Sequence, residues 1–527
     1  MVSSCLEPVE RGFAQRRSLQ SNMFTKRAGV GGQPPIRSDI EKGAIAAREF
    51  ARIRDVPDVL ALEDYGADPG ITHKLVRARM SDGSLFTDHR LFPLPKKQPG
   101  TVRTLTVLNP LDELALRAYV GRCAPAIMSA IDESVVMNGL IKRPGPKWFS
   151  ADFRELSRRR RDLQRSHYGN DATGAVGFFD VKNFFRSCSH DVLQHLLLEA
   201  SCPPGATQML TDMLRALFSS GVGLPIGFEG SGPLSNIILG VTDRALVSEG
   251  YQFVRWTDDI DVFMSDVEQW SQLLSLVAQS LESTGLQLNM DKTECLPKGS
   301  DAEDRLLDPG RDSVFVDDPV ENIVDRLEAY TLFSRFGLDM EPPAAHFRSY
   351  LGMLRKEKHP GALSYLQECP EWVDREPRAV GDYLLALTGD SASKKKIDLD
   401  WLMALAVERS PDKLTAAGQL HACRVLAGYK VDKQRSSTLI DFAWSRPNLT
   451  KYDALGAWAT RAWACGRAWR QSDAVDVVRS VQSVAYKRAA LSGFGCHGMA
   501  AVAAKHEPLG RADPEIRPVL ALLAASQ

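Results

Sequence analysis

Apolar and polar positions along the chain follow three successive rhythms. Residues 18–38 set none: they are rich in Ser, Gly, Pro and Gln, including Gly29-Val30-Gly31-Gly32-Gln33-Pro34-Pro35, and predict a loop-like arm. Residues 39–54 place Ile40, Ala44 and Ala47 on one helical face behind a cap at Ser38 or Asp39. Thr101 to Leu108 alternate as a strand. Residues 111–131 predict a long helix interrupted near Pro125, and 151–166 a strongly basic helix.

The second rhythm, from 174 to 316, mixes periods. Ala175 to Asp180 is a short apolar strand ending in a carboxylate, and 189–200 and 206–218 are helical. Tyr251–Trp256 and Ile260–Met264 read as strands around a turn at Thr257-Asp258-Asp259. Residues 267–284 form an amphipathic helix, while Leu286-Gln287-Leu288 and Ser313–Val316 alternate as strands. This pattern predicts an α+β sheet with helices on one face. From about 320 the strand signals stop. Ile323/Leu327/Tyr330, Phe347/Tyr350/Leu351/Leu354, Val380/Leu384/Leu387 and Leu455/Trp458/Ala462 keep helical spacing between short turns, as in a solenoid-like helical array, although no sharp repeat names its class.

Composition narrows the class. At 527 residues with 44% hydrophobic and 25% charged residues, the chain can bury a core unaided. No run reaches the roughly 18 apolar residues of a membrane span, and the first 17 residues lack the apolar centre of a secretory signal. The nine cysteines include no Cys-x-x-Cys pair, so a reduced, cytoplasmic protein is expected. The net charge of −1 conceals a polarity: residues 1–166 hold 28 Lys+Arg against 19 Asp+Glu, leaving 65 − 28 = 37 against 66 − 19 = 47 for the rest. A basic N-terminal third suits a polyanion such as nucleic acid, or is simply a solvated surface.

Three carboxylates carry the chemistry. Asp180 closes an apolar strand, where an unpaired carboxylate is costly. Asp258 and Asp259 sit in a hairpin turn, where Asp-Asp is ordinarily a turn former. If the strands are neighbours, the three converge as hard oxygen ligands for two Mg²⁺ ions and support in-line phosphoryl transfer.

With these residues in place, Phe179-Asp180-Val181-Lys182-Asn183-Phe184-Phe185 and Val254-Arg255-Trp256-Thr257-Asp258-Asp259-Ile260 resemble the catalytic core of reverse transcriptases. Leu224-Pro225-Ile226-Gly227 through Ser231, Leu234 and Asn236 matches the family's Leu-Pro-x-Gly-x-x-x-Ser-x-x-Leu-x-Asn segment. Gly285-Leu286-Gln287-Leu288-Asn289-Met290-Asp291-Lys292-Thr293 matches the segment that follows, and Pro95-Lys96-Lys97 with Gly100-Thr101-Val102-Arg103 looks like the fingers segment. Trp256-Thr257 departs from the family's usual Tyr before Ala, Val or Met.

The resemblance, over residues 90–300, implies a role for each position. Asp180, Asp258, Asp259 and the backbone of Val181 would hold two Mg²⁺ ions, with Mn²⁺ a possible substitute. Val181 to Phe184 would lie near the triphosphate of a dNTP. Phe185 would be the steric gate against a 2′-hydroxyl, or plain core packing. Lys97 and Arg103 would clamp phosphates, or be ordinary surface charge. Pro225 and Gly227 would shape a loop at the base pair, and Ser231 and Asn236 would begin a helix under the template, with Ser231 alternatively an N-cap. Lys292 would be the general acid for the leaving pyrophosphate, or a solvated lysine. Arg158 to Arg161 would track a nucleic-acid backbone, or face solvent.

The implied organisation is an N-terminal arm (1–38), fingers (39–170), palm (171–319) and an α-helical repeat domain (320–527) in place of a conventional thumb. A reverse-transcriptase core with such a helical domain resembles the bacterial abortive-infection and defence-associated (AbiK-like) reverse transcriptases. That resemblance implies DNA synthesis that is untemplated, protein-primed or copied from a dedicated non-coding RNA, and assembly into trimers or hexamers. Alternatives are a retron- or group II intron-like reverse transcriptase, an RNA-dependent RNA polymerase, which Phe185 argues against, and a catalytically retired nucleic-acid-binding scaffold. In the helical region Trp401, Trp444, Trp458, Trp463 and Trp469 exceed what a thin array is expected to bury.

Overall fold

The computed structural model describes residues 62–86, 89–95, 102–137, 153–307, 319–338, 340–408, 415–445, 453–465, 483–495 and 514–525, with a few positions between 37 and 58. Residues 1–36 of the N-terminal arm, Lys97, the expected strand at 313–316 and Trp469 lie outside the described residues, while Arg37 and Ser38, at the end of the arm, are already helical. Two sheets are present. β1 (Arg90–Pro95) and β2 (Val102–Val107) form an antiparallel pair, and a four-stranded sheet has the order β4-β5-β3-β6. Its strands are β3 (Ala175–Phe179), β4 (Gln252–Trp256), β5 (Asp259–Met264) and β6 (Glu294–Pro297), all antiparallel to their neighbours. The chain divides into two compact units that do not follow its order.

The first unit comprises 1–50, 69–87 and 109–309. Its longer helices are α1 (Pro69–Ser81), α2 (Pro110–Ala130), α3 (Phe153–Tyr168), α4 (His190–Glu199), α5 (Pro204–Leu217), α6 (Ser231–Ser248), α7 (Trp270–Glu282) and α8 (Ser300–Leu307). β3 is apolar throughout because it is interior, flanked by β5 and β6, and all five of its residues are buried. Helices cover both sheet faces rather than one. Val176 and Phe178 pack with Val254 and Phe263 against Leu163 and Tyr168 of α3 and Ala302 and Leu306 of α8. On the opposite face Phe179 meets Trp270 of α7, ring centroids 5.2 Å apart. Strand alternation makes this two-sided burial possible, since neighbouring residues point to opposite faces.

Two local expectations change. α2 runs through Pro125 without interruption, because Pro125 sits on an exposed side near the helix end while the preceding turns are held in the core. Leu286-Gln287-Leu288 forms no strand beyond a single bridge from Leu288 to Val181; β6, eight residues after Leu286, takes the place beside β3.

The second unit comprises 51–68, 88–108 and 310–527. It contains the β1–β2 pair and the helices α9 (Val320–Arg335), α10 (Ala344–Glu357), α11 (Leu363–Glu368), α12 (Pro377–Thr388), α13 (Ala416–Leu426), α14 (Lys433–Trp444), α15 (Ala454–Cys465), α16 (Val484–Gly495) and α17 (Arg517–Ala525). From α9 to α14, five side chains find partners 33 to 35 residues away: Arg335 with Glu368, Cys369 with Ser334, Ser393 with Lys358, Tyr429 with Lys394 and Arg435 with Asp400, while Arg348–Glu376 and Arg424–Asp382 span 28 and 42. Trp458 and Trp463 are buried, so part of the tryptophan excess is core; Trp444 is 42% exposed. Among the described residues no helix is long and apolar enough to cross a membrane.

Candidate functional site

Asp180 follows the last residue of β3 and is 8% exposed. Its carboxylate is held from two sides: Asn289 Nδ2 donates to Oδ1 at 2.7 Å and Lys292 Nζ to Oδ2 at 2.9 Å. The Gly-Leu-x-Leu-Asn segment delivers both groups by running beside the residues after β3. Asn289 N donates to the Asp180 carbonyl at 2.8 Å and Lys182 N to the Gln287 carbonyl at 2.8 Å. Lys292 keeps 63% of its side chain exposed, so its ammonium is bonded yet reachable. The hydrogen bond to Asp180 raises its pKa.

β4 and β5 are joined by a two-residue loop, Thr257-Asp258, with Trp256 directly opposite Asp259. The turn is tighter than the sequence suggests, and Asp259 is the first residue of β5. Thr257 takes φ 57°, a left-handed conformation that a β-branched residue rarely adopts. It is locked by Arg255, a fully buried arginine two residues back on β4. Arg255 donates to the Thr257 carbonyl at 3.1 Å, to Asn236 Oδ1 at 2.8 Å, and in a fork to both carboxylate oxygens of Asp243 at 2.8 and 2.6 Å. Asn236 and Asp243 both stand on α6, so this guanidinium ties the turn carrying Asp258 to that helix.

Burial, and then the neighbouring Asp259 charge, push the Asp258 pKa up to about 6. Asp259 is also raised, first by burial, with Arg160 opposing the rise. Asp180 contributes repulsion to both, so the three carboxylates share one electrostatic neighbourhood. Among the described residues no three His, Cys, Asp or Glu side chains are drawn together as a cation cluster. The donors are nevertheless hard oxygens whose mutual repulsion a divalent cation would relieve, which is the chemistry Mg²⁺ selects.

A second buried polar set braces β5. Asp261 accepts from Gln164 Nε2 at 2.7 Å and Arg160 Nη2 at 3.1 Å, and the Arg160 guanidinium lies over the Trp256 ring at 5.9 Å. Arg160 is therefore engaged with the sheet, while Arg158, Arg159 and Arg165 stay exposed on α3. Phe184 is buried; Phe185 is half-buried, its ring centroid 5.2 Å from that of Phe184, and its carbonyl accepts from Leu224 N at 2.6 Å. That bond carries the chain from Phe185 into the Pro225–Gly227 loop. Gly227 is exposed with φ 96°, a conformation glycine adopts without strain. Ser231 is the first residue of α6 rather than its cap; its hydroxyl donates to the Pro225 carbonyl at 2.8 Å and closes the loop. Glu229 of the same loop pairs with the buried Arg117 of α2, whose guanidinium also lies 5.1 Å over the Phe228 ring.

The first unit thus brings together Asp180, Val181, Asp258, Asp259 and Lys292, with Phe185, Pro225, Gly227, Ser231 and Asn236 on adjoining segments. Arg103 is exposed on β2, opposite Leu94, in the second unit. Sequence reading passed over Asn289, Arg255, Asp243, Asp261 and Gln164. Arg255 directly precedes the Trp-Thr-Asp-Asp run, where a lone charge inside an apolar strand is the signal.

This geometry defines an antiparallel sheet covered on both faces, with carboxylates at its strand ends, and one family model matches the same region. Residues 94–318 match the family model described as Reverse transcriptase (RNA-dependent DNA polymerase). The chain therefore carries a reverse transcriptase domain, the domain of an RNA-directed DNA polymerase, a nucleotidyltransferase. No curated protein matches the chain. Among solved structures it is similar to telomerase from Candida albicans in complex with a TWJ fragment of telomeric RNA, at 12% identity, TM-score 0.29, covering 70% of this chain and 65% of that one. Telomerase from Candida tropicalis in the same kind of complex matches at 12% identity and TM-score 0.29, covering 59% and 63%. The chain spans just under two thirds of either telomerase chain.

Proposed function

We propose that the chain is a DNA-synthesising reverse transcriptase whose reaction centre is Asp180, Asp258 and Asp259. The observation that carries this is the Asp180–Lys292 contact at 2.9 Å beside a turn that presents two further carboxylates. Asp180, Asp258, Asp259 and the Val181 carbonyl would hold the divalent ions, which when bound neutralise phosphate charge and support both the attacking and the leaving oxygen. Lys292, cationic and reachable, would donate a proton to departing pyrophosphate. Phe185, on the segment that follows Asp180, would select deoxyribose by excluding a 2′-hydroxyl. We assign the role of the whole chain to antiphage defence as a homo-oligomer, on the resemblance of its motifs and helical region to abortive-infection enzymes.

Replacing Asp258 and Asp259 together by Ala removes two ligands without touching the buried Arg255 network. Incorporation of labelled dNTPs should fall at least about a thousandfold with an unchanged thermal melt. Wild-type incorporation in that variant would sink the assignment. Phe185→Ala should bring NTP incorporation up towards dNTP incorporation; an unchanged ratio returns Phe185 to packing. Phage plating on cells expressing the wild-type and the double variant tests the defence role, which requires protection by the first alone.

A further inference from the structure

One edge of the helical unit joins three successive turns. They follow α10, α12 and α13. Ser393 Oγ donates to the Lys358 carbonyl at 2.9 Å, Lys394 Nζ to the Gly428 carbonyl at 2.6 Å, and the Tyr429 hydroxyl to the Lys394 carbonyl at 3.2 Å. The turns place Lys358, Lys394 and Lys430 at equal intervals, since 394 − 358 and 430 − 394 are both 36. That interval nearly equals the 35-residue separation of the bonds across the turns, so each turn delivers a lysine to the same edge.

Lys394 is engaged in joining the turns, its ammonium also 4.7 Å over the Tyr429 ring. Around it, Lys356, Lys395, Lys396, Lys430 and Lys433 are exposed and form no ion pair among the described residues. Lys433 opens α14, where the helix dipole disfavours a cation. Five acids share the edge, one of them Asp400, whose carboxylate pairs with Arg435. Asp390, Asp398 and Asp432 cap helices, accepting from Ser393 N at 2.7 Å, Asp400 N at 2.8 Å and Arg435 N at 2.9 Å, and Asp432 also pairs with Arg435. Their charges are turned to helix N-termini and Arg435; only Glu357 stands exposed without such a bond among the described residues.

We propose that this edge holds a single nucleic-acid strand through its phosphates. Exposed cations carried on successive joined turns suit an extended, repeatedly charged polymer better than a compact anion, and such contacts need no base readout. The choice of nucleic acid as the polyanion rests on the polymerase reading above. RNA and DNA share the phosphodiester chemistry, and the test separates them.

The experiment measures binding of fluorescent dT30 and rU30 to the full chain by anisotropy across a salt series, without dNTPs. It therefore stands whether or not the protein polymerises. Replacing Lys395, Lys396, Lys430 and Lys433 together by Gln should weaken binding at least tenfold and lower the log–log salt slope by roughly 2–3, at about 0.7 per phosphate contact. The same four changed to Arg should retain both. If the fourfold Gln variant does not fold, Lys395→Gln/Lys396→Gln and Lys430→Gln/Lys433→Gln should each give about half the slope change. An effect on dT30 alone identifies a DNA strand, and on rU30 alone an RNA strand. An unchanged slope for both overturns the proposal. So does loss of sedimentation with phosphatidylserine vesicles while strand binding is unaffected, which would make the edge a membrane contact.

Discussion

The two units bury arginine for different ends. In the second unit Arg488, 1% exposed, is saturated by Asp58 and Asp64 through four bonds of 2.8 to 3.2 Å and lies 4.7 Å over the Tyr65 ring. Its partners among the described residues are carboxylates and an aromatic face, so it fastens Asp58, Asp64 and Tyr65 to α16. In the first unit Arg255 spends two bonds on Asp243 and the others on Asn236 and the Thr257 carbonyl. It holds a strained turn against a helix, and that turn carries Asp258. A buried ion pair is weak evidence of net stabilisation. The distinction that matters is whether the guanidinium touches only its counter-ions or also a backbone atom of the working segment.

The comparison breaks most visibly at Arg488. Arg488→Met would leave Asp58 and Asp64 buried without a counter-charge, which costs about 3–5 kcal/mol. Burial already raises the Asp64 pKa against the pull of Arg488. Chemical denaturation followed by hydrogen exchange should show the protection of α16 lost first, while dNTP incorporation per folded molecule stays unchanged. Incorporation that collapses at full folding would mean that Arg488 is no mere fastener.

Arg255→Lys sharpens the contrast. Lysine keeps a charge opposite Asp243 but cannot fork to Asp243, Asn236 and Thr257 at once. The melt should move by only a few degrees, whereas kcat should fall about 10- to 100-fold, or about 1.4–2.7 kcal/mol of barrier, with KM for dNTP within about threefold. Arg488→Lys should reproduce the melt shift without the loss of kcat. Equal kinetic effects from the two lysines would erase the distinction between fastening and positioning.

What the sequence discloses follows the same division. The strands around Asp180 and Asp258, the helices after Ser189 and Pro204, and the loop from Pro225 to Asn236 are legible because local period, turn residues and motif agree. The braces are not. Arg255 meets Asp243 and Asn236 only after β4 packs on α6, and Asp261 meets Gln164 across 97 residues. Burial of the sheet on both faces was hidden because α3 reads as a basic surface helix, although Leu163, Gln164 and Tyr168 turn inwards. The near-35-residue pairing of the helical unit escaped for another reason. Its partners change chemistry at each step, from Cys–Ser to Ser–carbonyl to Arg–Asp, so spacing is kept while residue identity is not.

A pH measurement separates the units further. His421 on α13 is wholly buried, its ring packed where a side chain on Gly381 would stand, and its Nε2 lies 3.1 Å from the Asp55 carbonyl. Burial, and then Arg424, lower its pKa to about 4 from 6.5. The unfolded chain therefore takes up the proton first as pH falls. Stability from this group is intact above about pH 6.5 and is lost progressively down to about 4. Between pH 6.5 and 5 the second unit should lose on the order of 2 kcal/mol from His421 alone. In His421→Gln the pH dependence of the unfolding midpoint of that unit should flatten by that amount. An identical slope in the variant would assign the acid sensitivity elsewhere.

The smallest effect asks whether positioning in the first unit extends beyond charge. Ser231 is 2% exposed, and its hydroxyl satisfies the Pro225 carbonyl from the first turn of α6. Ser231→Ala deletes one neutral hydrogen bond and leaves a buried acceptor unmade, a loss of about 1 kcal/mol. Were Ser231 only part of the scaffold, that loss would appear in the melt and nowhere else. If the Pro225–Gly227 loop instead locates the incoming base pair, part of the same energy is drawn from binding, because a loop freed at Pro225 must be ordered again by the substrate. KM for dNTP should then rise about three- to fivefold with kcat within about twofold, the reverse of the split expected for Arg255→Lys. Ser231→Thr, which retains the hydroxyl, should restore KM if the added methyl is accommodated in the closely packed loop. A melt shift with unchanged KM in Ser231→Ala would confine positioning in this unit to its buried ions.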